Sequence, residues 1–550
     1  MPISKLSSVY SCIARSRDLA LTLFLSLPLA TASLAAQSPQ PHSASCQIDT
    51  RPPTDADLAF FHGDIKKAAD LVAAALKANP ADGHSHQLQV DLLLAQGKID
   101  DALKLVDTWT STNPTDPYAI VSAGDVQFAQ GHWREAYALA LKALKANPCF
   151  APAYQNAAQY ESLAGYRATA RRHLALAHQL APKDEFIHLD WVLSLNDQAA
   201  IDALKDLLQN DGVLDAKQKK NLPERLAELQ ASMGHNCELA SITGPAVIPM
   251  VPITDLHAMG VQSYGLEVAF NGHKRVLQID TGASGLLLSH SAEGGMGLKP
   301  LAQSSVGGFG GDGASGSTIE QADSIRIGGL EFKDCRVEAM NNFGAMGGSH
   351  LIGQPLDNMT GLIGTNVFSR YLVTVDYSKH EIRLDPLPQP PSNGTAPPLD
   401  ALGGRTDPGW MDGDRTLPPS LKSWTEIYRR GHQLIIPTLI NSQNPSLFLI
   451  DTGSAFNLID IDTAKKVTKE QTGSNGIRGL SGSGRLDEAG KFTLDFAGLR
   501  MPVISMDALD LTRFGGPHGF LGYPTLSQLV IHIDYRDNLV FFEAPQGKKL

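Results

Sequence analysis

The hydrophobic pattern changes character once along the chain. Through residues 50–235 apolar positions recur at helical spacing, as in "KIDDALKLVDTW" (98–109) and "WREAYALALKALKAN" (133–147). Beyond residue 240 the apolar runs shorten and alternate, as in "YGLEVAF" (264–270) and "KRVLQID" (274–280), and glycine becomes frequent. That texture predicts strands. A second strand-like block opens at "HQLIIPTLI" (432–440), after the Pro/Gly-rich stretch "DPLPQPPSNGTAPPLDALGGRTDPG" (385–409), which reads as a linker. The pattern therefore predicts a multidomain chain: an all-α body over 50–235, then all-β lobes over 250–387 and 431–546 around a linker at 388–430.

The helical half repeats itself. Pro80, Pro114, Pro148 and Pro182 are spaced by 34 residues. A glycine stands 17 residues before each of them (Gly63, Gly97, Gly131, Gly165), and an alanine follows each glycine by five (Ala68, Ala102, Ala136, Ala170). Such a unit is a helical hairpin: the glycine ends the first helix, the proline ends the second, and the alanine lets the two cross closely. The period and the phrases "AQGKIDDALKL" and "AQGHWREAYALALKALKANP" resemble the tetratricopeptide repeat, with four units over residues 50–185 and a degenerate further unit or cap over 186–235. The resemblance implies a stacked solenoid that binds a peptide or docks a partner protein. A spacer or intramolecular brace is the competing use.

The β lobes share a second repeat. "LQIDTGAS" (277–284) and "LFLIDTGS" (447–454) each place an Asp directly behind an apolar run, where a carboxylate is costly unless paired or used. Later, "GLIGTNVFSRYLVTVDYSKHEIRL" (361–384) matches "GFLGYPTLSQLVIHIDYRDNLVFF" (519–542), with Gly364 to Asp376 and Gly522 to Asp534 both spanning 12 residues. Asp-Thr-Gly behind an apolar strand, followed by apolar-apolar-Gly near the lobe's end, resembles the aspartic peptidases. Each short lobe is like a retropepsin subunit, and the doubling in one chain is like pepsin.

The resemblance implies that Asp280 and Asp451 form a carboxyl dyad sharing one proton and activating a water, with no metal or cofactor. One lobe supplies one Asp, so the phrase occurs twice or the chain dimerises; the linker is long enough for pairing within the chain. Thr281 and Thr452 would cross-link the two loops through their hydroxyls. Gly282 and Gly453 would allow a tight turn. The fourth position is Ala283 in one lobe and Ser454 in the other. A Ser454 hydroxyl bonded to the Asp451 carboxylate would make Asp451 the more acidic member. Residues 304–321 and 476–492 stand where substrate-covering hairpins belong, with Phe309 the one aromatic of the first.

Other features refine this picture. Lys5, Arg15 and Arg17, the apolar run "LALTLFLSLPLA" (19–30) and "TASLAAQ" (31–37) predict a signal peptide over 1–36, cleaved near Ala32, Ala35 or Ala36. A retained anchor is the alternative. After cleavage the protein would be periplasmic or extracellular, without a stable membrane span. Cys46, Cys149, Cys237 and Cys335 could pair in such a compartment, but their spacing selects no partners. A formal charge of −11 without a basic run argues against nucleic acid.

"GFGGDG" (308–313) matches a dinucleotide fingerprint in letters only, since an extended stretch and not a helix follows it. His290, His350 and His518 read as loop or surface residues, and Asp376 and Asp534 as turn residues. The expected function is an aspartic endopeptidase acting on proteins or peptides. An exported peptide-binding protein that does not cut, and a processing factor active on one partner, are the alternatives.

Overall fold

The computed structural model describes residues 46–545, apart from 196, 211–213, 215–221, 234, 236, 241–243, 255–260, 307–314, 341–359, 389–414, 416, 472–475, 480–481 and 512–516. The expected signal peptide, most of the linker, "GFGGDG", Phe309 and His350 lie outside the described residues.

The N-terminal half is a stack of helical hairpins: α1 (Asp55–Phe61) with α2 (Ile65–Ala78), α3 (Gly83–Ala95) with α4 (Ile99–Thr112), α5 (Pro117–Ala129) with α6 (Trp133–Ala146), and α7 (Ala151–Ala164) with α8 (Arg167–Leu180). Gly63, Gly97, Gly131 and Gly165 all have φ between 74° and 92° at the turn inside a hairpin, a conformation costly for other residues. Ala68, Ala102, Ala136 and Ala170 are buried where the paired helices cross. The aspartates two residues after three of the prolines, Asp82, Asp116 and Asp184, cap the next helix. Then come α9 (Glu185–Ser194), α10 (Asp197–Asn210) and α11 (Leu222–Ser232). Curvature brings α9 back to α1, with Phe61 and Phe186 edge-to-face at 4.9 Å. A Cys46–Cys149 disulfide and the bond from Asp49 N to Leu180 O (2.7 Å) strap the N-terminal segment across the stack.

Each β lobe is built around the same three-strand arrangement. In the first, Gly361–Ile363 lies parallel to His273–Ile279 and antiparallel to Leu286–Ser289. In the second, Gly519–Leu521 lies parallel to Asn444–Ile450 and antiparallel to Leu458–Asp460. The central strand is hydrogen-bonded on both edges, and its residues are buried except the half-buried Phe520. Asp280 and Asp451 follow directly on Ile279 and Ile450, at the ends of the flanking strands.

The lobes join within the chain. Tyr371–Asp376 pairs antiparallel with Val530–Asp534, from Leu372 opposite Asp534 to Asp376 opposite Val530, at the middle of a six-stranded sheet. Both lobes therefore drain into one continuous apolar core. The end of the expected linker is not structureless: Pro419–Leu421 forms a 3-10 turn, and Thr425–Glu426 and Tyr428–Arg430 are short strands. The first of these strands extends the shared sheet by pairing with Leu539–Glu543. A second disulfide, Cys237–Cys335, ties the segment after the solenoid to the first lobe.

The solenoid packs on both lobes. Trp133, Tyr160, Leu163 and Ala164 form a buried cluster with Tyr428, Ile435, Leu447 and Leu449 of the second lobe. Two repeat glycines sit directly on that lobe: a Cβ at Gly131 would lie 2.5 Å from the His518 ring, and one at Gly165 would lie 2.8 Å from the Asn538 amide. His518 is thus not a free surface histidine. Its Nδ1 accepts from Leu447 N (3.0 Å), and burial pushes its pKa down to about 4. On the first lobe, Glu228 of α11 accepts from the Ser304 hydroxyl (2.6 Å).

Candidate active site

The two Asp-Thr-Gly loops meet between the lobes. Asp280 N donates to Ile363 O (3.0 Å), and Asp451 N to Leu521 O (2.9 Å), so each loop hangs from the central strand of its own lobe. Each threonine then reaches across. Thr281 Oγ1 donates to Ile450 O (2.7 Å) and accepts from Thr452 N (3.0 Å). Thr452 Oγ1 donates to Ile279 O (3.1 Å) and accepts from Thr281 N (3.0 Å). Both threonines are buried, so these four bonds form out of water and leave no hydroxyl unsatisfied.

The glycines serve closeness and not conformation. Neither Gly282 nor Gly453 has a positive φ. Instead, a Cβ at Gly453 would stand 2.3 Å from Asp280 Cγ, and one at Gly282 would stand 2.9 Å from Asp451 Cγ. Each glycine makes room for the opposite carboxyl. Gly364 and Gly522 act similarly from below: side chains there would collide with Ala283 O (2.4 Å) and Phe456 O (2.0 Å).

The carboxyls are half-buried and hydrogen-bonded to each other. Burial pushes Asp280 well above the usual carboxylate range, and the Asp451 charge pushes it further. Burial raises Asp451 as well, but the bond from Asp280 and the amides of Gly453 and Ser454 favour its charged form. The amides of Gly282 and Ala283 serve Asp280 in the same way, so both carboxyls are raised, chiefly by burial, and the two titrate as one coupled pair. The bond expected from the Ser454 hydroxyl to the Asp451 carboxylate is not made. Ser454 Oγ donates to Phe456 O (2.9 Å), while its backbone amide serves Asp451 Oδ1 (3.1 Å). Gly282 N donates in the same way to Asp280 Oδ1 (2.7 Å). The Ala283 amide also favours the charged form of Asp280, its carbonyl is the one that Gly364 clears, and its side chain packs against Leu287, Met340 and Leu362.

Several residues of this site were not singled out from the sequence. His432 Nε2 donates to Gly282 O (2.7 Å) from the second lobe, and Gln278 Nε2 of the first lobe lies 3.4 Å from Gly453 O. Arg429, half-buried and pushed down to about 9 by desolvation, bonds Gly431 O (3.0 Å) and Tyr535 O (2.6 Å), fixing the turn that presents His432. The tyrosines of the two Asp-Tyr phrases also serve the site. The buried Tyr377 hydroxyl reaches Thr452, and the buried Tyr535 hydroxyl bonds Thr365, next to Gly364. Their in-phase repetition was the available signal. Asp376 and Asp534 are turn residues as expected, each accepting from backbone amides two and three residues on.

Strands Lys299–Val306 and Ser315–Ile327 pair as an antiparallel hairpin in the first candidate flap, from Lys299 opposite Gln321 to Val306 opposite Ser315; its tip, 307–314, is outside the described residues. In the second, Gly476–Gly479 pairs with Gly482–Arg485.

Residues 266–367, which include Asp280 and Gly364, match the family model for aspartyl protease. The first lobe is an aspartyl protease domain. Residues 60–121 match a tetratricopeptide repeat model. Among solved structures, a thermophilic TPR protein of Thermus thermophilus is 20% identical, over 32% of this chain and 95% of its own, at a TM-score of 0.26. The aspartic proteinase of Irpex lacteus is 14% identical, over 55% of this chain and 98% of its own, at a TM-score of 0.32. No curated protein matches. Beside the aspartyl protease domain, the second lobe brings Asp451 to the same site on the same strand–loop–strand frame.

Proposed function

We propose that this chain is an aspartic endopeptidase whose dyad is Asp280 and Asp451. The observation that carries the reading is one carboxyl from each lobe, mutually hydrogen-bonded between reciprocal threonine bridges. In the reaction, Asp451 takes a proton from the bound water as its oxygen attacks the peptide carbonyl carbon. Asp280 gives its proton to the carbonyl oxygen, leaving a tetrahedral diol. A proton then passes to the departing nitrogen, the C–N bond breaks, and an amine and a carboxylic acid remain. The chemistry calls for no cofactor. Thr281 and Thr452 hold the loops, Gly282 and Gly453 clear space, and Ala283 and Ser454 complete the turns.

The division into a signal peptide (1–36), a solenoid (50–235), a linker (388–430) and lobes (250–387 and 431–546) belongs to this reading. So does a periplasmic or extracellular location, which the two disulfides and the N-terminal apolar run support. The substrate is a protein or peptide, and the solenoid binds substrate or a partner protein. The test is cleavage of a diverse peptide mixture by the mature chain across pH, read by mass spectrometry, with and without a pepstatin-type inhibitor. Inhibitor-sensitive cuts are expected; no cutting under any condition would leave a binding protein.

His432 acts on this chemistry as a positioning residue. His432→Ala is expected to lower kcat roughly tenfold with KM little changed, because an unheld Gly282 loop lets Asp280 drift. His432→Gln, which keeps a donor, is expected to restore most of it. Equal kinetics for all three proteins would remove His432 from the site.

A further inference from the structure

The solenoid gathers carboxyl groups from helices far apart in the chain. Asp57, Asp91 and Asp125 stand 34 residues apart, at one equivalent place in α1, α3 and α5. Asp184, Glu185 and Asp190 join them from α9 and its cap. Helices that are not neighbours in a curved stack approach one another only across its inner side, and the Phe61–Phe186 contact shows how tightly this stack curves. The charges feel each other accordingly. Burial raises Asp91 far above its ordinary range, and Asp125, Asp184 and Asp57 push it in the same direction, with His84 opposing. Burial pushes Asp125 and Asp190 up to about 7 each.

Helix caps and neutral or titratable neighbours satisfy part of this set: Asp57 Oδ2 accepts from Thr54 N (2.8 Å) and Thr54 Oγ1 (2.7 Å), and Asp184 Oδ1 from Phe186 N (3.1 Å) and Ile187 N (3.0 Å). His84 Nε2 lies 2.8 Å from Asp57 Oδ1, Asn156 Nδ2 donates to Asp125 Oδ1 (2.6 Å), and Gln155 Nε2 donates to Asp190 Oδ2 (2.6 Å). Glu185 is different. It is 6% exposed and its Oε1 has no hydrogen-bond partner among the described residues; burial, with the Asp184 and Asp57 charges, pushes it up to about 8, against its own backbone amide and His84. A buried acceptor left without a donor, among like charges, costs folding free energy. A cation carrying N–H donors would relieve both the repulsion and the missing bond.

We propose that this inner acidic well is the docking site of the solenoid for a basic side chain, a lysine ammonium or arginine guanidinium on an extended protein segment. The inference rests on the reading that the solenoid binds a substrate or partner, and it gives that ligand a chemistry. Asp57, Asp91 and Asp125, repeating with the stack, would receive the cation along the groove. Glu185 would accept from it at the closed end, where α9 meets α1. The segment so held would lie on the same molecule as the dyad, so docking raises the local concentration of a tethered cleavage site.

The test uses the full chain carrying Asp280→Asn, so that no peptide is cut. Two fluorescent, end-blocked peptides differ only in a central arginine or glutamine, and binding is read by anisotropy. The arginine peptide is expected to bind roughly tenfold tighter or more. Asp91→Asn and Glu185→Gln are each expected to erase most of that preference. In the chain with an intact dyad, the same two substitutions are expected to leave cleavage of a short uncharged peptide unchanged. Equal binding of the two peptides overturns the proposal, as does a preference that survives both substitutions. Full competition by free spermidine, with no gain from peptide context, overturns it too, since the site would then take a loose cation. Should either variant fail to fold, the two peptides on the parent chain still decide. Loss of all cleavage by the parent would sink the catalytic reading and leave this one standing.

Discussion

Asp280→Asn and Asp451→Asn are each expected to cut kcat/KM by about a thousandfold or more, with little change in melting temperature. Amide and carboxyl are nearly isosteric, so the loops keep their shape. The shared proton does not survive. Asn at 451 cannot take the proton of the attacking water, and Asn at 280 cannot give one to the carbonyl oxygen.

The parent should also show a characteristic pH dependence. A carboxyl whose pKa is raised by burial and by a like charge keeps its proton to higher pH than an ordinary aspartate. Activity needs one proton on the pair. It is therefore expected to fall on the acid side as the pair takes up a second proton and on the alkaline side as it loses its last one. Peptide cleavage followed across pH checks both limbs. If either Asn variant keeps substantial activity, the dyad as assigned is wrong.

Gly453→Ala is expected to lower kcat by at least about a hundredfold, the scale of a 1 Å misplacement of a reacting group. The added methyl would stand 2.3 Å from Asp280 Cγ, so the carboxyl or the loop must shift. The threonine bridges resist a shift of the loop, since moving it breaks bonds in a buried, water-free place. Gly282→Ala, with 2.9 Å to Asp451 Cγ, should follow with a smaller loss. Single-turnover kinetics beside thermal unfolding separates displaced carboxyls from lost folding. A fully active Gly453→Ala would mean that the two loops do not approach as described.

Much of this architecture was legible in the residues. The 34-residue period predicted the helical hairpins because a glycine with positive φ and a small residue at the crossing are local demands that each unit must meet. The doubled Asp-Thr-Gly and apolar-apolar-Gly phrases predicted two lobes of one design because both belong to the same parallel strand pair. Other matters depended on contacts between distant segments. Ser454 looked like a donor to Asp451, yet its hydroxyl finds Phe456 O, a partner two residues away that pattern alone does not rank above the carboxylate. Gly453 looked like a turn residue, yet it is needed because Asp280 arrives from another lobe. His518 looked like a loop residue, yet Gly131 packs on it from the solenoid, far away in the chain.

By itself the sequence determined the repeat, the strand texture, the two carboxylates and their loop chemistry, because these follow from periodicity and from backbone preferences within a few residues. Only the tertiary structure decided that the lobes join through Tyr371–Asp376 and Val530–Asp534, which cysteines pair, where the solenoid rests, and that His432 and Gln278 reach across to the opposite loops. Those outcomes are settled by burial and by hydrogen-bond satisfaction between segments remote from one another in the chain. A linear pattern lists the groups available for such contacts, but the packed core selects which of them meet.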